Sequence, residues 1–275
     1  MVWICLLVLL FIFIYFENNI IQMSFFEVSS KKLPSSFENY TIVHISDLHN
    51  KKFGKNQNRL LKKIYNQSPD IIFITGDIID KRNFNTKNVA EFIKGAVRLA
   101  PVYFVPGNHE ASIKENYKIL YEKLSLFGVN IINNECIKLF LGKDSICICG
   151  IDDPCFVNER GLSKKEVIEN NLSKIKIDIA EFNILLSHRP EMIKVYASYG
   201  YDLVFTGHAH GGQFRIPFIG GIFAPNQVFF PKYTSGKHVV SHTVEIISRG
   251  LGPSIIPIRI FNRPEIVVCK LKSIK

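Results

Sequence analysis

The stretch Val102-Tyr103-Phe104-Val105-Pro106-Gly107-Asn108-His109-Glu110 governs how the rest of the chain reads. Four β-branched or aromatic residues closed by Pro and Gly predict a short buried strand ending in a turn. Asn108, His109 and Glu110 then sit at the strand's C-terminal end. In open α/β sheets, the crevice beyond those ends is where ligands bind.

Four other apolar runs end in the same way. Residues 41–45 run into Ser46-Asp47-Leu48-His49, and residues 71–75 into Gly76-Asp77. Residues 183–186 lead to Ser187-His188, and residues 202–206 to Gly207-His208-Ala209-His210. Asp, His and Asn are ligands that suit divalent Mn, Fe and Zn. Asp47 and His49 are two apart, as are His208 and His210, so on an extended chain each pair points to one side. Strand-end placement gathers all of these residues on one sheet edge.

This order of motifs resembles the calcineurin-like metallophosphoesterases, and the resemblance covers residues 41–213. Gly-His-Ala-His-Gly-Gly-Gln at 207–213 is similar to the bacterial membrane-associated branch. Asp80, Lys81 and Arg82 after Gly-Asp resemble the protein phosphatases faintly, but the 207–213 block argues against that branch. The resemblance implies an α/β fold of two mixed sheets packed face to face with flanking helices, a four-layer sandwich. It implies hydrolysis of a phosphomonoester or phosphodiester by two divalent ions (Mn, Fe, Zn or similar) with a bridging hydroxide as nucleophile. Asp77 falls on the bridging position. Asp47, His49 and His210 fall on one ion's shell, and Asn108, His188 and His208 on the other's. His109 falls on the catalytic position, where it protonates the leaving oxygen or stabilises phosphoryl charge. Glu110 either supports that shell or is a helix-start carboxylate. A metal-binding scaffold without turnover is the alternative from a different class; it would be expected to lack ligands, and none is missing.

Composition sets bounds. The chain has 275 residues, 47% of them hydrophobic, enough for one generous core. Its net charge of +10 comes from scattered Lys without aromatic interleaving, so a nucleic-acid partner is not expected. Cys136, Cys147, Cys149, Cys155 and Cys269 lack the spacing of a zinc knuckle and read as buried free thiols, not a disulfide framework.

Residues 2–16 are uninterrupted apolar sequence closed by Glu17-Asn18-Asn19. Apolar on all sides, the run predicts an N-terminal helix in a membrane and not in a core. We therefore expect an anchor over 1–21 at the cell membrane, a leading strand and connector over 22–40, and a catalytic domain over 41–275. No positive flank specifies the anchor's orientation. Helical spacing marks 55–67 and 88–99. Ser112-x-x-Glu115 and Ser163-x-x-Glu166 read as capping boxes. Strands are expected at 129–133, 135–141, 145–150, 239–248, 255–260 and 265–271. Residues 214–233 form a long aromatic segment leaving the His-Ala-His motif. It is either a packed lid or an apolar wall for a lipid-linked substrate, with Phe214 as a candidate contact. Ser248-Arg249-Gly250-Leu251-Gly252 offers Arg249 as a candidate phosphate contact or a simple turn.

Overall fold

The computed structural model describes the chain except residues 158–160, 226, 228, 255 and 275. It begins with α1 (Val2–Asn19), β1 (Gln22–Ser30), β2 (Thr41–Ile45), α2 (Asn58–Tyr65), β3 (Ile71–Thr75) and α3 (Lys87–Ala96). Next come β4 (Val102–Val105), α4 (Asn108–Ser112), α5 (Glu115–Leu126), β5 (Asn130–Ile131), β6 (Glu135–Leu141) and β7 (Asp144–Gly150). Then follow α6 (Lys164–Ser173), β8 (Asn183–Leu186), α7 (Ile193–Ser198) and β9 (Leu203–Thr206). The chain closes with β10 (Arg215–Ile216), β11 (Gly220–Gly221), β12 (Gly236–Val240), β13 (Thr243–Ile247) and β14 (Glu265–Ser273).

Two six-stranded mixed sheets form, ordered β1-β14-β2-β3-β4-β5 and β12-β13-β9-β8-β7-β6. β2, β3, β4, β8 and β9 are buried at every position, as parallel strands covered on both faces must be. Phe37, Ile42 and Phe73 of one sheet layer meet Ile148, Ile184 and Phe205 of the other in a shared core. α2, α3 and α5 cover one outer face, and α6 and α7 cover the other. The four-layer sandwich expected from the resemblance is therefore the observed fold. Because β2-β3-β4 and β7-β8-β9 run parallel within their sheets, the loops leaving them gather at one edge.

Several local expectations need correction. The strand expected over 239–248 is a hairpin: Ser241, at φ 55°, turns the chain between β12 and β13. The strand expected over 255–260 is absent from 256–260, where one isolated bridge joins Ile260 to Phe214; Ile255 lies outside the described residues. Ser112 does not cap α5; its hydroxyl donates to the Asn108 carbonyl, and α5 starts after Lys114. Ser163 and Glu166 do form a reciprocal capping box. The expectation of free thiols fails at Cys136 and Cys149, which are joined in a disulfide. The tight turn at Gly142-Lys143 sets the β6–β7 register and places those two residues directly opposite. Cys147 and Cys269 are buried free thiols, whereas Cys155, expected to be buried as well, is a free thiol at the surface.

α1 stands out from the sandwich with most of its apolar side chains exposed, Phe13 and Ile14 being half-buried, and it docks through its last turn. There Glu17 is buried, pairing with Arg263 at 2.7 Å and accepting from the Asn262 amide at 3.0 Å. Asn18 accepts from the Arg259 amide at 2.8 Å.

Candidate metal centre

The strand-end loops bring seven side chains to one place. Asp47 Oδ1 lies 3.2 Å from His210 Nε2 and 3.8 Å from His49 Nε2. Asp77 Oδ2 lies 3.3 Å from His188 Nε2 and 3.7 Å from His49 Nε2. His188 Nε2 and His208 Nδ1 are 3.2 Å apart, as are His49 Nε2 and His210 Nε2. Two groups therefore stand side by side, Asp47-His49-His210 and Asp77-His188-His208, with the Asp77 carboxylate in reach of both. Asn108 lines the same cavity, its Oδ1 3.5 Å from the Arg189 guanidinium.

The convergence does not come from extended chain. Asp47, His49, Asp77, His208 and His210 all have positive φ, between 47° and 62°. Non-glycine residues reach this left-handed region at a cost, and such residues cluster at functional sites. Likewise Asn108 and His109 open the short helix α4 and do not alternate along a strand. The glycines of the motifs let the loops interlock. A Cβ on Gly107 would collide with Asp77 Oδ1, and one on Gly207 with Ser46 Oγ.

Hydrogen bonds around the cluster orient its donors. His188 Nδ1 meets the Thr75 carbonyl at 2.7 Å, and His49 Nδ1 meets the Ile79 carbonyl at 3.2 Å. A carbonyl only accepts, so both rings carry hydrogen on Nδ1 and aim Nε2 inward, the orientation that metal-ligating imidazoles take. Asp47 Oδ2 accepts from Ser46 Oγ and the His208 amide, whereas Oδ1 is buried and accepts no hydrogen bond from any described residue. Burial acts to raise the Asp47 and Asp77 carboxyls, yet the surrounding imidazoles hold both below the ordinary range. A buried, ionised, unsatisfied carboxylate oxygen facing imidazole nitrogens suits a divalent cation, which would take the place of the protons those imidazoles otherwise hold.

Glu110 proves to be the carboxylate that knits two of these loops together. It accepts from the Asp77, Ile79 and Gly107 amides at 2.7, 3.3 and 2.8 Å. Burial, then Asp77, push its carboxyl up to about 7. His109 sits on the solvent side, its Nε2 3.9 Å from Asp77 Oδ2. Its Nδ1 accepts from the Lys81 amide at 3.1 Å, so the neutral ring carries its hydrogen on Nε2, facing the cavity. Burial lowers this imidazole to about 4, against the pull of Asp77.

The cavity over the cluster has a volume of about 420 Å³. Its wall contains cations that the motifs did not single out, including Lys164 and Arg189. Arg189 is buried, held by Asp153 through bonds of 2.5 and 2.9 Å, with its Nη1 2.7 Å from His208 Nε2. Its position beside His188 was the sequence signal for it. Lys81 and Arg82 also line the wall, although the protein-phosphatase pattern that drew notice to them does not hold overall. Arg249 and Phe214 are absent from the described lining. Arg249 is consumed by Glu265, at 2.9 and 2.8 Å, and Phe214 bridges to Ile260.

Residues 40–212 match the sequence model of the calcineurin-like phosphoesterases. The chain is 30% identical over 268 residues to the uncharacterized metallophosphoesterase YkuE of Bacillus subtilis, covering 94% of this chain and 88% of that one. It is 24% identical over 236 residues to the phosphodiesterase YaeI of Escherichia coli, covering 84% and 82%. Among solved structures, the phosphopantetheinyl hydrolase PptH of Mycobacterium tuberculosis superposes with a TM-score of 0.51 at 15% identity, covering 75% of this chain and 88% of that one, a likeness of fold alone. With its motif blocks and fold in agreement, the chain belongs to the calcineurin-like phosphoesterase family.

Proposed function

We propose that this protein is a membrane-anchored phosphoesterase that would work with two divalent ions, the two ligand groups holding them and the Asp77 carboxylate lying within reach of both groups. The observation that carries this reading is the placement of the Asp77 carboxylate between two buried groups, one of which includes the unsatisfied Asp47 Oδ1. Asp47, His49 and His210 would hold one ion, and Asn108, His188 and His208 the other. Two such ions supply Lewis acidity toward phosphoryl oxygens and a water acidic enough to attack phosphorus near neutral pH.

The chain's own groups do the remainder. The Thr75 and Ile79 carbonyls fix the His188 and His49 tautomers. Glu110 holds the Asp77 loop against the start of α4. His109 would present Nε2–H to the phosphoryl group, and burial favours the neutral form of its ring. We therefore assign it hydrogen-bond stabilisation of developing charge, not proton delivery. Lys81, Arg82 and Arg189 give the wall a positive potential that favours an anionic ester.

α1 supports the membrane part of the reading. It has 18 residues of mean hydropathy 2.0, and 6% of it is buried. A core helix would be buried on at least one face. Substrates carrying a lipid tail fit an active site tied to the base of such a helix.

The test is hydrolysis of 4-nitrophenyl phosphate and bis(4-nitrophenyl) phosphate by the full chain in detergent, stripped with chelator and reloaded with Mn, Fe or Zn. Turnover that vanishes on stripping and returns on reloading is expected. Absence of turnover with every ion would overturn the reading.

A further inference from the structure

A second apolar element lies beside α1 in space, though far from it in sequence. Phe13 of α1 stacks against Phe261 with ring centroids 5.3 Å apart. Phe13 precedes Glu17, the helix's one buried residue, by four positions, about 6 Å of helical rise. Phe261 therefore reaches beyond the domain surface to a level where the helix is wholly apolar. Phe261 also lines a shallow cavity of about 300 Å³ with Arg215, Pro217, Phe218 and Ile219, the β10–β11 hairpin. At the hairpin tip Phe218 is completely exposed and holds φ at 69°. Gly or Asn would occupy that left-handed turn position at lower conformational cost. Ile219, Phe229, Phe230 and Phe261 are exposed in the same two loops.

We infer that the β10–β11 hairpin, with the 229–230 and 256–261 segments, is a second membrane-contact element that inserts its aromatic tip into the phospholipid bilayer alongside α1. The inference rests on the reading of α1 as a membrane anchor. The occupant is a bilayer because the patch is continuous with a helix apolar on every side, through the Phe13–Phe261 contact. Charge agrees. Arg215 lines the cavity beneath the tip and bonds to the Gly211 carbonyl and the Thr234 hydroxyl, at 2.8 and 3.3 Å. Among the described residues it makes no ion pair, which leaves its charge available to a lipid phosphate at the interface. The consequence concerns the metal centre. Pro225 from the hairpin's continuation and Pro253 and Ser254 from the other loop line the catalytic cavity. Docking of the two loops turns the cavity mouth toward the bilayer surface, where a phosphoester with an apolar tail presents its head group.

Trp3 is the chain's one tryptophan, which makes a direct test possible. The full chain carrying Trp3→Phe and Phe218→Trp is reconstituted into phosphatidylcholine–phosphatidylglycerol vesicles with brominated acyl chains. The reporter at 218 is expected to lose most of its emission to the brominated lipid and little to aqueous iodide. Ile219→Trp in the same background should behave alike, and Leu126→Trp, exposed on α5, should respond to iodide only. Iodide quenching without lipid quenching at both 218 and 219 would overturn the inference. Native Trp3 separates the two claims. If it is quenched by brominated lipid while the hairpin reporters are not, the anchor stands and the hairpin inference falls; if no position is quenched, both fall.

Discussion

The pair Asp153–Arg189 offers the sharpest energetic prediction. Both side chains are buried, at 2% and 1% exposure, and two bonds of 2.5 and 2.9 Å join them. Replacing Asp153→Ala removes the counter-charge and leaves the guanidinium inside. Among the described residues its remaining hydrogen-bond neighbours are Asn108 Oδ1 at 3.5 Å, Cys155 Sγ at 3.4 Å and His208 Nε2, and the other carboxyl acting on it, Glu191, is itself pushed toward its neutral form by burial. Breaking a buried pair from one side costs about 3–5 kcal/mol, because an uncompensated charge stays in low dielectric. At about 2–4 °C per kcal/mol for a domain of this size, Tm should fall by roughly 6–20 °C. The double variant Asp153→Leu with Arg189→Met removes both charges and should recover most of that loss. Thermal melts of the full chain in detergent, followed by circular dichroism, give all the values. A single-variant loss under about 1 kcal/mol is what a solvated surface pair would give. That result would refute the burial argument, and so would a double variant no more stable than Asp153→Ala.

Three other outcomes are expected. His109→Ala should keep its metal ions and lose about 10²–10³-fold in turnover, equally for aryl and alkyl esters, since the ring donates a hydrogen bond and not a proton; a larger loss for alkyl esters would restore the acid role. Deleting residues 1–12 should leave the domain's melting unchanged, whereas deleting 1–21 also removes the Phe13–Phe261 contact, Glu17, Asn18 and the buried Ile21 and should cost about 3 kcal/mol; equal Tm values for the two truncations would contradict the docking seen at the C-terminal end of α1. Glu245 is wholly buried with no hydrogen bond to Oε2 from any described residue, and burial raises its carboxyl well above its ordinary value of 4.5. An acid raised on folding is neutral in the native state and ionises only on unfolding, so its contribution is intact below pH 4.5 and is lost as pH rises, at about 1.4 kcal/mol per unit. Glu245→Gln should therefore flatten the decline of Tm between pH 5 and 8; parallel profiles would show that the carboxyl is ionised in the fold.

The clustering of these Asp, His and Asn side chains was legible in the sequence because each member ends an apolar run, and parallel strands place such ends together. Why they converge was not legible. Alternation along extended chain suggested that Asp47 and His49 share a side, but both hold left-handed backbone, and Asp and His carry no local mark of it. Arg189 was overlooked beside His188, since an Arg before Pro reads as surface until Asp153 is seen to bury it. Arg249 stood between a phosphate contact and a simple turn because its partner Glu265 lies 16 residues away, on β14. The Cys136–Cys149 disulfide depends on hairpin register, which a two-residue turn fixes and residue spacing alone does not.

Metal stoichiometry tests the central claim most directly. The stripped chain is reloaded with Mn or Zn, freed of excess ion, and assayed for metal per chain by emission spectrometry alongside hydrolysis of bis(4-nitrophenyl) phosphate. The account predicts about two ions per chain, with activity saturating at the second equivalent. It also predicts that Asp77→Asn depletes both ions together, because one carboxylate serves both groups. One ion or none in the active wild-type chain, or an Asp77→Asn variant that keeps both ions, would contradict it.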